Sequence, residues 1–138
     1  MKLISFRDGN TEGVGVMVEP TRFASLGRRA PELPPTLRGI LERGDEALAQ
    51  ARRVAAEGKA DGDLAEVELL PVIPDPPAVW CVGVNYDDHL KETGREPTKY
   101  PTLFLRIAAS QVGHRGAIVR PKVSEELDYE GELAVVIG

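Results

Sequence analysis

The chain has 138 residues, enough for one ordinary domain or two very small ones and too few for a large multidomain protein. With 42% hydrophobic and 28% charged residues it has the apolar side chains for a core and is not a disordered tail. Lys plus Arg number 17 against 22 Asp plus Glu, and the net charge of −5 argues against a nucleic-acid partner, whose phosphates attract the opposite sign. The single cysteine, Cys81, excludes an intramolecular disulfide and a Cys-rich zinc site. The opening Met1-Lys2-Leu3-Ile4-Ser5-Phe6-Arg7-Asp8 meets charge too early for a signal peptide, and no apolar stretch nears the ~20 residues that span a bilayer. A cytoplasmic protein without membrane contact is the expectation.

Leu3 to Phe6 and Gly15 to Val18 read as two short strands around the turn-prone Asp8-Gly9-Asn10, with Phe23 to Leu26 as a third. After Pro31, Pro34 and Pro35, Thr36 caps a helical pattern with Leu37, Ile40 and Leu41 on one face. Gly44 breaks the pattern and Asp45 recaps it. Leu48, Ala51, Val54 and Ala55 then continue the stripe to a stop at Gly58. These helices read as a cover for the small sheet, with no cofactor chemistry on the stripe. Glu66 to Leu70 alternates like a strand, and Pro71, Pro74, Pro76 and Pro77 stiffen a connection that places a domain boundary between residues 1–70 and 71–138.

Val79 to Val84 is a continuous apolar run, the pattern of a strand buried on both faces. Asn85 is a suitable helix cap, Asp87 and Asp88 suit the positive end of a helix dipole, and Gly94 is a natural stop. Thr102 to Ile107, Ile118 to Arg120 and Tyr129 to Ile137 are further strand candidates. The closing run Ala134-Val135-Val136-Ile137-Gly138 needs neighbours on its faces and edges, so the chain reads as a fragment or as one whose sheet another chain completes.

Three groups of residues carry chemistry. His89 and Glu92 lie three positions apart on the short helix, so the imidazole can meet the carboxylate. Such a pair suits a general base that takes a proton from water, and the same spacing also describes a solvated surface pair. Glu130 and Glu132 fall on one face of a strand. With carboxylates about 5 Å apart and an effective dielectric of ~20 their repulsion is roughly 3 kcal/mol, which a shared cation turns into attraction. Oxygen-only donors point to magnesium, manganese or calcium, while a solvent-facing Glu-x-Glu is the other reading. Arg106 shares a strand face with Phe104 and suits a substrate carboxylate, or stands exposed on an edge strand. Cys81, among apolar neighbours, reads as a small core hydrophobe, and His114 as a loop residue.

Val82-Gly83-Val84-Asn85-Tyr86-Asp87-Asp88-His89, then Glu92, Tyr100 to Arg106, Ser110, Ile118-Val119-Arg120-Pro121 and Asp128 to Gly138 occur in an order that resembles the fumarylacetoacetate hydrolase family. The likeness runs from about residue 71 to the end, and residues 1–70 look like the small N-terminal domain of many bacterial members. It implies an α+β protein: a small β/α domain followed by the first part of a mixed β-roll catalytic domain, usually dimeric, binding Mg2+ or Mn2+ and acting on 2-oxo acids and related β-dicarbonyl compounds. Glu130 and Glu132 match two of the family's metal ligands, and a third, an aspartate on a later strand, has no counterpart within the chain. His89 and Glu92 match the water-activating pair of the acylpyruvate-cleaving branch, and Arg106 stands where many members have lysine. The function this implies is metal-dependent hydrolysis of a carbon–carbon bond through a metal-stabilised enolate. The alternatives are a decarboxylase, isomerase or lyase on the same scaffold, or a non-catalytic assembly module.

Overall fold

A computed structural model describes residues 1–94, 96 and 98–137. The described residues fall into two compact units, Met1–Pro74 together with the segment from Val112 onward, and Asp75–Gln111.

In the first unit, alternation in the sequence becomes an antiparallel sheet. β1 (Leu3–Asp8) pairs with β2 (Thr11–Met17) through Leu3↔Val16 to Asp8↔Thr11. β2 pairs with β3 (Arg22–Ser25), which ends one residue before the expected limit because Leu26 opens α1 (Leu26–Arg29). Two-residue strands β4 (Gly62–Asp63) and β5 (Glu68–Leu69) close the edges, giving the order β4-β3-β2-β1-β5. The strand expected over 66–70 therefore shrinks to Glu68 and Leu69, where β1 offers partners. Such brief edge strands leave little open ladder for another chain to join.

The register puts Val14, Val16 and Ala24 on one face, and α2 (Leu37–Arg43) and α3 (Asp45–Ala56) help to cover it. Ala47, Ala51 and Val54 recur along α3 at helical spacing and join Leu26, Ala30, Leu33, Leu37 and Ile40 in the core. Burial of Ile40, Leu26 and Val16 contributes about 1.5–3 kcal/mol each. The Thr36 hydroxyl caps α2 by accepting from the Gly39 N–H at 3.1 Å, as its position in the sequence implies. Gly44, at φ 78°, both ends α2 and caps α3. Asp45 is thus not the cap: it enters the first turn beside Glu46, where its charge meets the helix dipole.

Asp61 ties the connection after α3 to the sheet and to α1. Its carboxylate accepts from Arg29 Nη2 at 2.6 Å, Arg29 Nε at 2.8 Å and the Ser25 N–H at 2.9 Å, and its backbone N–H donates to Phe23 O at 2.8 Å. The Arg29 guanidinium, with help from the Ser25 N–H, holds its carboxyl below the usual carboxylate range, against the opposing effect of burial.

In the second unit β6 (Val79–Gly83) pairs with β7 (Thr102–Arg106), from Val79↔Arg106 to Gly83↔Thr102. The expectation of a strand buried on both faces is corrected: Trp80 and Leu105, cross-strand neighbours, are 64% and 56% exposed. Among the described residues this sheet has two strands, and the face that carries Trp80, Val82, Leu103 and Leu105 is exposed. Helix α4 (Asp87–Thr93) follows β6. Its cap is Tyr86 rather than Asn85, and Gly94 closes it in the left-handed conformation, φ 63° and ψ 24°, donating to Leu90 O and Lys91 O.

No strand forms over 112–137, so the strands expected at Ile118–Arg120 and Tyr129–Ile137 are absent among the described residues; Gly138, the end of the last apolar run, lies outside them. A strand exists only where another backbone supplies its hydrogen bonds, and this segment has no ladder partner among the described residues.

Two outcomes follow for stability. Asp61→Ala is expected to cost about 2 kcal/mol in denaturant unfolding, because it removes a carboxylate and orphans the Ser25 N–H. Since the folded pKa is depressed, the unfolded state binds the proton first; the stabilisation is full above the unfolded value of 3.8 and is lost as pH falls through the folded value. The acid limb of stability should accordingly flatten in the variant. Gly94→Ala places a Cβ at positive φ and should weaken the end of α4 by about 1 kcal/mol, read as faster amide exchange at Leu90 and Lys91.

Candidate active site

The second unit holds His89, Glu92 and Arg106, three of the five candidate site residues read from the sequence. Asp87 and Asp88 stand at the positive end of α4, Lys91 pairs with Asp88 at 3.2 Å, and Thr93 Oγ1 donates to His89 O at 2.9 Å. These local interactions and the glycine stop hold a helix of seven residues. His89 is half-buried on it and Glu92 exposed, three positions on, as the helical period requires. The strand-to-helix junction has one unusual residue: Val84, β-branched, sits at φ 50° immediately after β6. That left-handed conformation reverses the chain between strand and helix at a cost in strain.

Arg106 is the last residue of β7, exposed, directly across from Val79 and on the strand face of Phe104 and Cys81. Its guanidinium suits a carboxylate because its paired N–H groups match two oxygens. Cys81 is half-buried and not a sealed core residue. His114 lies exposed in an irregular loop, as expected.

Glu130 and Glu132 belong to the other unit, in a segment that is neither helix nor strand, and both are exposed. Gly131 between them has open space on the side where a side chain would project. Their carboxylate oxygens are hard donors of the kind Mg2+ or Mn2+ takes. Among the described residues no group of three His, Cys, Asp or Glu side chains gathers into a metal-holding set. The two glutamates fit such an ion in donor type and would fill two of its roughly six positions.

The charged pair with the firmest geometry escaped the sequence reading. Asp61 and Arg29 are 32 positions apart, outside any local period, and only β3, α1 and the loop after α3 bring them together.

Residues 78–138 match the family model described as fumarylacetoacetate (FAA) hydrolase C-terminal. The chain is 38% identical over 141 aligned positions, covering 100% of it, to human mitochondrial oxaloacetate tautomerase FAHD2A, of which this is 45%. It is 33% identical to the Xenopus laevis mitochondrial oxaloacetate tautomerase fahd2, covering 100% of this chain and 44% of that one. Against Bacillus subtilis oxaloacetate tautomerase YisK the identity is 35%, over 91% of this chain and 48% of that protein. The chain thus spans a little under half the length of the curated relatives it matches, and no helix among its described residues is long and apolar enough to cross a membrane. The ordered motifs from Val82 to Glu132 and the alignment with the human relative over all of this chain have one explanation: it belongs to the fumarylacetoacetate hydrolase family.

Proposed function

We propose that the protein interconverts the keto and enol forms of a 2-oxo dicarboxylate, oxaloacetate or a close analogue, as a homodimer on a mixed β-roll with Mg2+ or Mn2+ held by Glu130 and Glu132. The observation that carries this reading is the similarity over nearly the entire chain to relatives named oxaloacetate tautomerases from both human and Bacillus subtilis. It favours isomerisation over the carbon–carbon hydrolysis that the family name suggests, and the chemistry of such a substrate agrees. Hydrolysis requires water to attack a distal carbonyl, and in oxaloacetate that carbonyl is a carboxylate, already negative and a poor electrophile. Tautomerisation needs no water.

Arg106 pairs with a substrate carboxylate and sets the orientation of the carbon chain. An imidazole nitrogen of His89 takes a proton from the carbon beside the 2-oxo group, and Glu92 stabilises the imidazolium that forms. The electron pair released from the C–H bond moves toward the 2-oxo oxygen, and the His89 imidazolium delivers to that oxygen the proton it took, which completes the enol and restores the neutral imidazole. When bound, the divalent ion supplies positive charge where that oxygen becomes more negative. The reverse reaction returns the proton from His89 to carbon, so atoms and charge balance without a co-reactant. Water activation by the same His89–Glu92 pair on an acylpyruvate is the second reading, favoured by their placement on one short helix.

In the ultraviolet assay of oxaloacetate enol decay with Mg2+ present, His89→Ala is expected to lower kcat by about 10²–10⁴-fold. Glu130→Gln should abolish the dependence on added metal. Unchanged turnover in His89→Ala removes that residue from the mechanism, and faster release of pyruvate from an acylpyruvate than tautomerisation of oxaloacetate replaces this reading with hydrolysis.

A further inference from the structure

The face of the first sheet opposite the helices is floored by glycine. A Cβ at Gly13 would stand 3.1 Å from Phe6 Cζ, and one at Gly62 2.9 Å from Phe23 Cζ, so the two rings lie against bare backbone, their centroids 4.7 Å apart. Beside them opens a cavity of about 510 Å³, within the range of small-molecule sites.

We propose that this cavity binds a small zwitterion of the α-amino-acid class with an apolar side chain. Ser25 lines it and lies on the sheet face of Phe23 and Gly15. The residue is 9% exposed, yet among the described residues its hydroxyl makes no hydrogen bond and does not cap α1, although Ser25 occupies the cap position. No side-chain polar atom among the described residues is sealed from solvent without a partner, so that hydroxyl is accessible and offers a donor and an acceptor. The same cavity is lined by charges of both signs. Glu12 and Asp61 are taken by Arg7 and Arg29, whereas the side chains of Arg28, Asp8 and Glu66 form no ion pair or hydrogen bond among the described residues. The Arg28 guanidinium, which acts on the Asp61 carboxylate only through its charge, suits a further carboxylate, and the Asp8 and Glu66 carboxylates suit an ammonium.

The site lies within the first unit and does not depend on the tautomerase reading. It is tested on the whole chain by 15N-resolved titration with L-phenylalanine, phenethylamine, which lacks the carboxylate, and hydrocinnamate, which lacks the ammonium. Expected are saturable shifts of the Gly13, Ser25 and Gly62 amides with L-phenylalanine at millimolar concentration. Binding should be roughly tenfold weaker for either one-charge analogue and for the exposed variant Arg28→Gln, which should melt as the parent does. Absence of shifts at those amides, equal binding of either analogue, or an unchanged titration in Arg28→Gln overturns the proposal.

Discussion

A β-strand's backbone must find a partner for its hydrogen bonds, and its apolar face must find a cover; both demands are met locally in the first 74 residues. Consecutive strands β1, β2 and β3 pair with their neighbours in sequence, and α1–α3 follow at once to bury Val14, Val16 and Ala24. The edges are the two-residue strands β4 and β5, and Asp61, just before β4, fastens the connection after α3 through Arg29 and Ser25. In the second unit the same demands are met only in part: β6 and β7 satisfy one another along a single edge and leave Trp80, Val82, Leu103 and Leu105 exposed on one face.

That contrast bears on where chemistry can be located. His89 and Glu92 owe their relation to one helix whose capping is entirely local, so their spacing survives as a geometric fact. Arg106 owes its place to one ladder with β6. Glu130 and Glu132 depend on a strand face to make their side chains converge, and the segment that carries them has no ladder partner among the described residues. A metal centre assembled from such residues is a property of long-range pairing, whereas the helix pair is not.

Substrate electronics separate the reactions open to different members of the family. Relatives that act on oxaloacetate handle a compound whose far carbonyl is a carboxylate. A base positioned beside acidic C–H bonds is productive there, while nucleophilic water has no good electrophile to attack. One set of His, Glu and Arg side chains can therefore serve isomerisation in one member and hydrolysis in another, with the substrate's carbonyls deciding which path is open.

Much of the amino-terminal architecture was legible because it follows from contacts near in sequence. The Thr36 cap, the Gly44 break, the apolar stripe of α3, the hairpin of β1 and β2 and β7, which ends at Arg106 one residue before the expected Ile107, all come from periods and turn residues. Caps drifted by a residue, as from Asn85 to Tyr86, because several polar residues there compete for one role. Ordered motifs also declared the family, since the resemblance needs only residue types in sequence. Tertiary structure alone decided the Asp61–Arg29 clasp, the glycine floor beneath Phe6 and Phe23, and which apolar runs become strands. Local alternation at Glu66–Leu70 and Tyr129–Ile137 looks alike, but a strand is a relation between two backbones, and β1 supplies that relation for Glu68 and Leu69 only.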